Sequence, residues 1–277
     1  MLMNTITKQW IDAYVSHPKT AVIIESEDEL SHAIVIEYLH DKLIGRKNNP
    51  YISINSEDKK TIGVEKIRDL KKQLSLQANT SINPITRMIV IDQADRMTDE
   101  AQNALLKLIE ELPARTTICL TITKSSRLLT TVTSRCFLVR VLPIEEDRAK
   151  QYARNLSVSD QEATKMYLLS SGNPGLFLSL INKESSPLTD AIQDAKIFLS
   201  STVFERQKLI GVIVKTPDVV PMQLRAIRII ALTGLRSSVG PAKNRWKQTL
   251  EQVAITESQL ASNVSTKLAL LRLSISI

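Results

Sequence analysis

The sequence predicts an α/β protein: a parallel sheet of five strands, then a small helical domain and an all-helical C-terminal third. Three observations carry this. The runs Met88-Ile89-Val90-Ile91 and Thr117-Ile118-Cys119-Leu120-Thr121-Ile122 are short and rich in β-formers, as strands buried on both faces are. Between them Ala101, Ala104, Leu105, Leu108 and Ile109 recur at helical spacing, the rhythm of strands joined by crossover helices. From Ile144 onward the strand signals fade.

Each element has a local reason. Residues 5–16 read as an amphipathic helix with Ile6, Trp10, Ile11 and Tyr14 on one side, ended by Pro18. Residues 20–24 form the first strand, and a helix over 28–43 follows with Leu30, Ile34, Tyr38 and Leu39 in register. Residues 51–54 are the second strand, 55–61 a polar loop and 62–76 a helix. The third strand, 88–91, leads to a helix with Thr98 as N-cap, Asp99 and Glu100 in the first turn and Pro113 as its stop. The strand 117–122 and a polar segment lead to a last strand at 137–141. Helices are then expected over 144–155, 160–170 and 174–181, a linker at Lys183-Glu184-Ser185-Ser186-Pro187, and helices near 188–200, 203–215, 221–238 and 242–254, with one more near the end. The domains are expected at 1–143, 144–185 and 186–277.

Composition narrows the function classes. Hydrophobic residues make up 43% of 277, enough for a packed core. No apolar run approaches the roughly 20 residues that span a bilayer, and the N-terminus lacks a secretory h-region, so the cytoplasm is expected. Cys119 and Cys136 read as small core residues rather than a disulfide, and with three histidines a zinc site is not expected. The net charge of +7 is concentrated at the C-terminus, where residues 186–277 carry 12 Lys/Arg against 6 Asp/Glu. Lys243, Arg245, Trp246 and Lys247 form a basic cluster with an aromatic, which reads either as a nucleic-acid contact or as helix-surface charge over a buried Trp.

Three blocks carry a family resemblance: Ile91-Asp92-Gln93-Ala94-Asp95-Arg96-Met97, Ala101 through Pro113, and Ser134-Arg135-Cys136. In order and spacing they resemble the AAA+ clamp-loader subunits, those of the delta-prime type of bacterial DNA polymerase III in particular. The resemblance implies an AAA+ α/β domain, a helical lid and a helical collar. It implies assembly with tau/gamma motor subunits and a delta subunit, and loading of a sliding clamp on primed DNA. Many delta-prime relatives carry a cysteine-rich zinc module after the first strands; this chain has none there.

Where an active AAA+ module has a glycine-rich loop, this chain has Glu25-Ser26-Glu27-Asp28-Glu29-Leu30. None of its seven glycines is followed by Lys. The loop's four carboxylates (Glu25, Glu27, Asp28 and Glu29) repel a triphosphate, so no nucleotide cofactor is expected in the P-loop manner. Asp92 holds the Walker B position, but Gln93 replaces the Glu that polarises water, and the favoured reading of Asp92 is a cap of the following turn. Thr123 maps to sensor 1, and the Gly172-Asn173-Pro174-Gly175 turn lacks the sensor 2 Arg. In the family, the Arg of the Ser-Arg-Cys motif acts in trans as an arginine finger, and the resemblance implies that role for Arg135 beside Ser134; a surface or interface salt bridge is the alternative. No metal site is expected. An ATPase with an atypical phosphate loop, or a stand-alone DNA-binding protein using the basic C-terminal third, are the rival functions.

Overall fold

The computed structural model describes residues 2–45, 52–54, 61–75, 85, 87–123, 127–262 and 264–277. Tyr51, Leu76 and residues 55–60 of the expected polar loop lie outside them.

Strands β1 (Ala21–Glu25), β2 (Ile52–Ile54), β3 (Arg87–Ile91), β4 (Thr116–Ile122) and β5 (Phe137–Arg140) form one parallel sheet in the order β2-β3-β4-β1-β5. Alternate side chains leave on opposite faces. Ile23, Ile89, Ile91, Ile118, Leu120 and Ile122 pack with Ile67 and Leu70 of α3 (Val64–Ser75) and Leu105 and Leu108 of α4 (Asp99–Glu110). Val22, Ile24, Met88, Val90 and Cys119 face Ile11 and Tyr14 of α1 (Thr5–Ser16) and Val35 and Leu39 of α2 (Glu29–Leu43). With helices on both faces the strands are apolar on both sides, which is why they read as continuous runs. Thr98 caps α4, its side chain accepting the Ala101 N–H at 3.2 Å. A one-turn α5 (Thr130–Thr133) precedes β5. Both cysteines are free: Cys119 is fully buried, and burial pushes the half-buried Cys136 thiol up to about 12.

The chain divides into two compact units, Met1–Arg148 with Asn173–Gly175, and Ala149–Gly172 with Leu176–Ile277. Helices α6 (Glu146–Asn155), α7 (Asp160–Ser170) and α8 (Pro174–Ile181) follow the sheet in sequence. After them come α9 (Pro187–Ser200), α10 (Val203–Ile213), α11 (Val220–Ser237), α12 (Pro241–Ala261) and α13 (Thr266–Ser276). Reciprocal capping boxes, Ser186 with Thr189 and Thr202 with Glu205, start α9 and α10. Helix α12 runs to Ala261 rather than 254 because its last turns stay attached: Thr256 is buried and Glu257 pairs with Arg228 of α11 at 3.2 Å. Helices α11 and α12 approach closely at Gly234, where a Cβ would lie 2.3 Å from the Trp246 indole.

The helical unit is tied together by a buried cation. Arg206, 4% exposed, donates to the Phe198 and Leu199 carbonyls at the end of α9 (2.9 and 3.1 Å) and to the Ser274 and Ile277 carbonyls at the end of α13 (3.1 and 2.6 Å). Two helix C-termini, each with unpaired carbonyls and a negative dipole end, thus share one guanidinium. Burial and then Arg245 lower its pKa, but a guanidinium starts high enough to stay charged. The Arg206→Ala variant is expected to lose about 3 kcal/mol of unfolding free energy in urea denaturation, because it takes a donor from four carbonyls at two helix ends.

Candidate functional site

In an open parallel sheet, ligands gather at the C-terminal ends of the strands. Here those ends bring together the β1–α2 connection, Asp92 and Gln93 after β3, and Thr123 after β4. The connection from Glu25 to Glu29 is three residues long, Ser26, Glu27 and Asp28. Glu25 turns away to pair with Arg140 of β5 at 3.0 Å, its register partner. Ser26 is buried, its N–H bonded to the Ile122 carbonyl at 3.0 Å.

Asp28 is the N-cap of α2. It is 1% exposed; Oδ1 accepts the Leu30 N–H at 3.1 Å and Oδ2 the Ser31 hydroxyl at 2.8 Å. Ser31 Oγ in turn accepts the Gly175 N–H at 2.9 Å. An anion on a helix N-terminus is the arrangement a phosphate uses, and here a side chain provides it. Gly175 has no room for a side chain, since a Cβ would lie 2.2 Å from the Ser31 nitrogen and 2.3 Å from the Leu30 carbonyl carbon. These residues do not fit a triphosphate held by a P-loop: the connection is short, has no Lys, and its first-turn donors face a carboxylate. Beneath them His32, 2% exposed, points Nε2 at the Ile122 carbonyl, 3.1 Å away, so Nε2 carries the proton and donates. Burial lowers the His32 pKa, against the opposing pull of Asp92 and other carboxylates.

Asp92 and Gln93 are held by β4. The Thr121 hydroxyl donates to the Asp92 carboxylate and accepts the Gln93 N–H at 2.9 Å, and Gln93 takes a left-handed φ of 53°. The Gln93 amide donates to Glu29 at 2.9 Å. Asp92 is therefore anchored through Thr121. Thr123 donates to the buried Asp95 carboxylate at 2.6 Å, which Arg127 also approaches at 3.6 Å. Among the described residues no cluster of three or more His, Cys, Asp or Glu is placed to hold a metal ion.

Ser134 and Arg135 are exposed in the turn between α5 and β5. The Ser134 hydroxyl donates to the Thr131 carbonyl at 3.1 Å, tightening that turn. The Arg135 side chain is 43% exposed and pairs with Glu110 at the end of α4. In the helical unit Arg245 stacks over Trp246 and donates to the Leu199 carbonyl at 3.2 Å, while Lys247 reaches Glu251 at 4.0 Å. Trp246 is half-buried rather than buried. The sequence names Asp92, Gln93, Ser134 and Arg135 as candidates; it gives no signal for Ser31 or His32, and Gly175 stands out only as part of the 172–175 turn. Asp28 was available as an N-cap residue before an apolar periodic run.

A family model described as "DNA polymerase III, delta subunit" matches residues 19–145. The DNA polymerase III subunit delta' of Escherichia coli is 32% identical over 136 residues, 49% of this chain and 40% of that protein. Replication factor C subunit 3 of Blastobotrys adeninivorans is 30% identical over 146 residues, 52% of this chain and 39% of that protein. The chain thus spans about two fifths of the length of these relatives. A DNA polymerase III gamma subunit-related protein of Thermotoga maritima superposes with a TM-score of 0.60 at 17% identity, covering 97% of both chains. A RuvB mutant of the same organism reaches 0.50 at 14% identity over 71% of this chain and 66% of that one. The fold is the AAA+ fold, with a helical C-terminal region. The chain resembles an AAA+ clamp-loader subunit. Within that class its likeness is to delta-prime of DNA polymerase III.

Two outcomes are expected. Gly175→Ala forces a side chain against backbone and lowers the thermal stability of the full chain by about 2 kcal/mol, read by calorimetry. His32 has a lower pKa folded than unfolded, so the unfolded chain takes up the proton first. Stability therefore falls as pH drops below about 6.5, the unfolded value. Replacing His32 with Gln should flatten that part of the stability–pH curve, measured by urea titrations from pH 7.5 to 5.

Proposed function

We propose that the protein is a structural subunit of a replication clamp loader, of the delta-prime type. It hydrolyses no ATP itself and lends Arg135 to the ATP site of a neighbouring motor subunit. Its partners are tau/gamma-type motor subunits and a delta-type subunit, and the assembly places a sliding clamp on primed DNA in the cytoplasm. Residues 144–185 serve as the lid and 186–277 as the collar.

The observation that carries the non-hydrolysing role is Asp28, seated with Ser31 and Gly175 where a phosphate would meet the first turn of α2. Gln93 supports the same reading, because an amide cannot take a proton from water as a carboxylate does. The finger role is supported by position and chemistry. Arg135 is exposed in a turn stiffened by Ser134, and a guanidinium is always charged and can bind two phosphate oxygens at once. Charge developing on a transferred γ-phosphate is what such a cation stabilises.

Two measurements test this. Titration calorimetry of the isolated chain with Mg-ATP should show no binding tighter than about 1 mM; a micromolar site would restore the ATPase reading. In an assembly reconstituted with the motor subunits of the same source, Arg135→Ala should lower ATP turnover well over tenfold while assembly persists on gel filtration. Unchanged turnover would remove Arg135 from the mechanism.

A further inference from the structure

The α4 sequence ends in Glu110-Glu111, two acids at the negative end of a helix dipole, where cations are the favoured side chains. Each acid has found one. Glu111 pairs with Lys71 of α3. Glu110 Oε1 accepts from Nε of Arg135 at 3.0 Å and lies 2.9 Å from Nη2 in the same ion pair. The third contact of the guanidinium is its Nη1, which donates to the Thr131 carbonyl of α5 at 3.1 Å. A guanidinium has five N–H donors, and the hydrogen bonds use two, from Nε and Nη1. Among the described residues one N–H on Nη1 and at least one on Nη2 are left. The Nε edge of the group is committed to its own chain, and both Nη atoms keep a hydrogen for an outside acceptor.

We infer that Glu110 is a positioning residue for Arg135: its carboxylate grips the Nε edge of the guanidinium and presents the Nη atoms to the phosphate oxygens of the neighbouring subunit. The inference rests on the trans role proposed for Arg135. A long, half-exposed side chain on a turn samples many rotamers, and a finger that must be ordered on arrival loses affinity for the transition state. One carboxylate and one carbonyl, from two different helices, remove most of that freedom beforehand. The remaining Nη hydrogens suit a bidentate contact with a phosphoryl group. Glu110 itself touches no nucleotide.

The test uses the full assembly with the motor subunits, four versions of this chain (wild type, Glu110→Ala, Glu110→Gln and Arg135→Ala) and the Glu110→Ala/Arg135→Ala double variant. Glu110→Ala should lower kcat for ATP three- to tenfold with KM unchanged. Glu110→Gln, whose amide oxygen still accepts from Nε, should recover most of the loss. In the Arg135→Ala background the Glu110 substitution should add nothing. A kcat for Glu110→Ala at or above wild type, beside a strongly impaired Arg135→Ala, overturns the positioning role and leaves the finger standing. An Arg135→Ala assembly with normal turnover overturns both. An additive double variant also counts against it, since it would mean that Glu110 acts through something other than Arg135.

Discussion

A carboxylate with almost no contact with solvent caps the first turn of α2, and the packing around that turn depends on it. Helix N-termini present unpaired N–H groups and a partial positive charge, and in this fold class they commonly wait for phosphate. Asp28 supplies the negative charge from within the chain, through Leu30 and Ser31. Ser31 then has a lone pair for the Gly175 N–H, so a residue far along the sequence is drawn onto the same turn. The arrangement is dry, short-ranged and fully hydrogen-bonded, and such polar groups are stable inside a protein only when every member is satisfied.

The sheet gives that turn its place. Because β1 lies between β4 and β5, the ends of the central strands converge, and the side chains after them brace one another: Thr121 holds Asp92 and Gln93, and Asp95 holds Thr123. These are positions where an AAA+ motor keeps groups for water and metal. Here they are spent on one another and on backbone. The exposed turn before β5, where Arg135 stands, lies apart from this braced group. The same strand order therefore places a self-contained cluster at the C-terminal ends of the central strands and an outward-facing cation near β5.

What could be read beforehand was what local chemistry determines. Thr98 announces α4 because a hydroxyl before an acidic first turn satisfies orphan N–H groups in any context. The apolar runs of β1, β3 and β4 announce a sheet covered on both faces. The parts that could not be read depend on partners distant in sequence. Ser31 and Gly175 are 144 positions apart, and nothing about either residue alone indicates that one caps the other. Glu110 reads as ordinary helix-surface charge until the fold brings Arg135 beside it. The extra turns of α12 depend on Glu257 meeting Arg228 across two helices. Trp246 belongs visually to a basic cluster, but it packs on Gly234, a residue of another helix.

That indole contact has a practical side. The chain has two tryptophans, and the fold assigns one to each compact unit: Trp10 lies against the α1–α2 face of the sheet, and Trp246 lies against the bare backbone of α11. Their emission thus comes from separate bodies. Versions of the chain carrying a single indole would let fluorescence follow the sheet unit and the helical unit independently, and would reveal whether the two melt as one cooperative body or in succession.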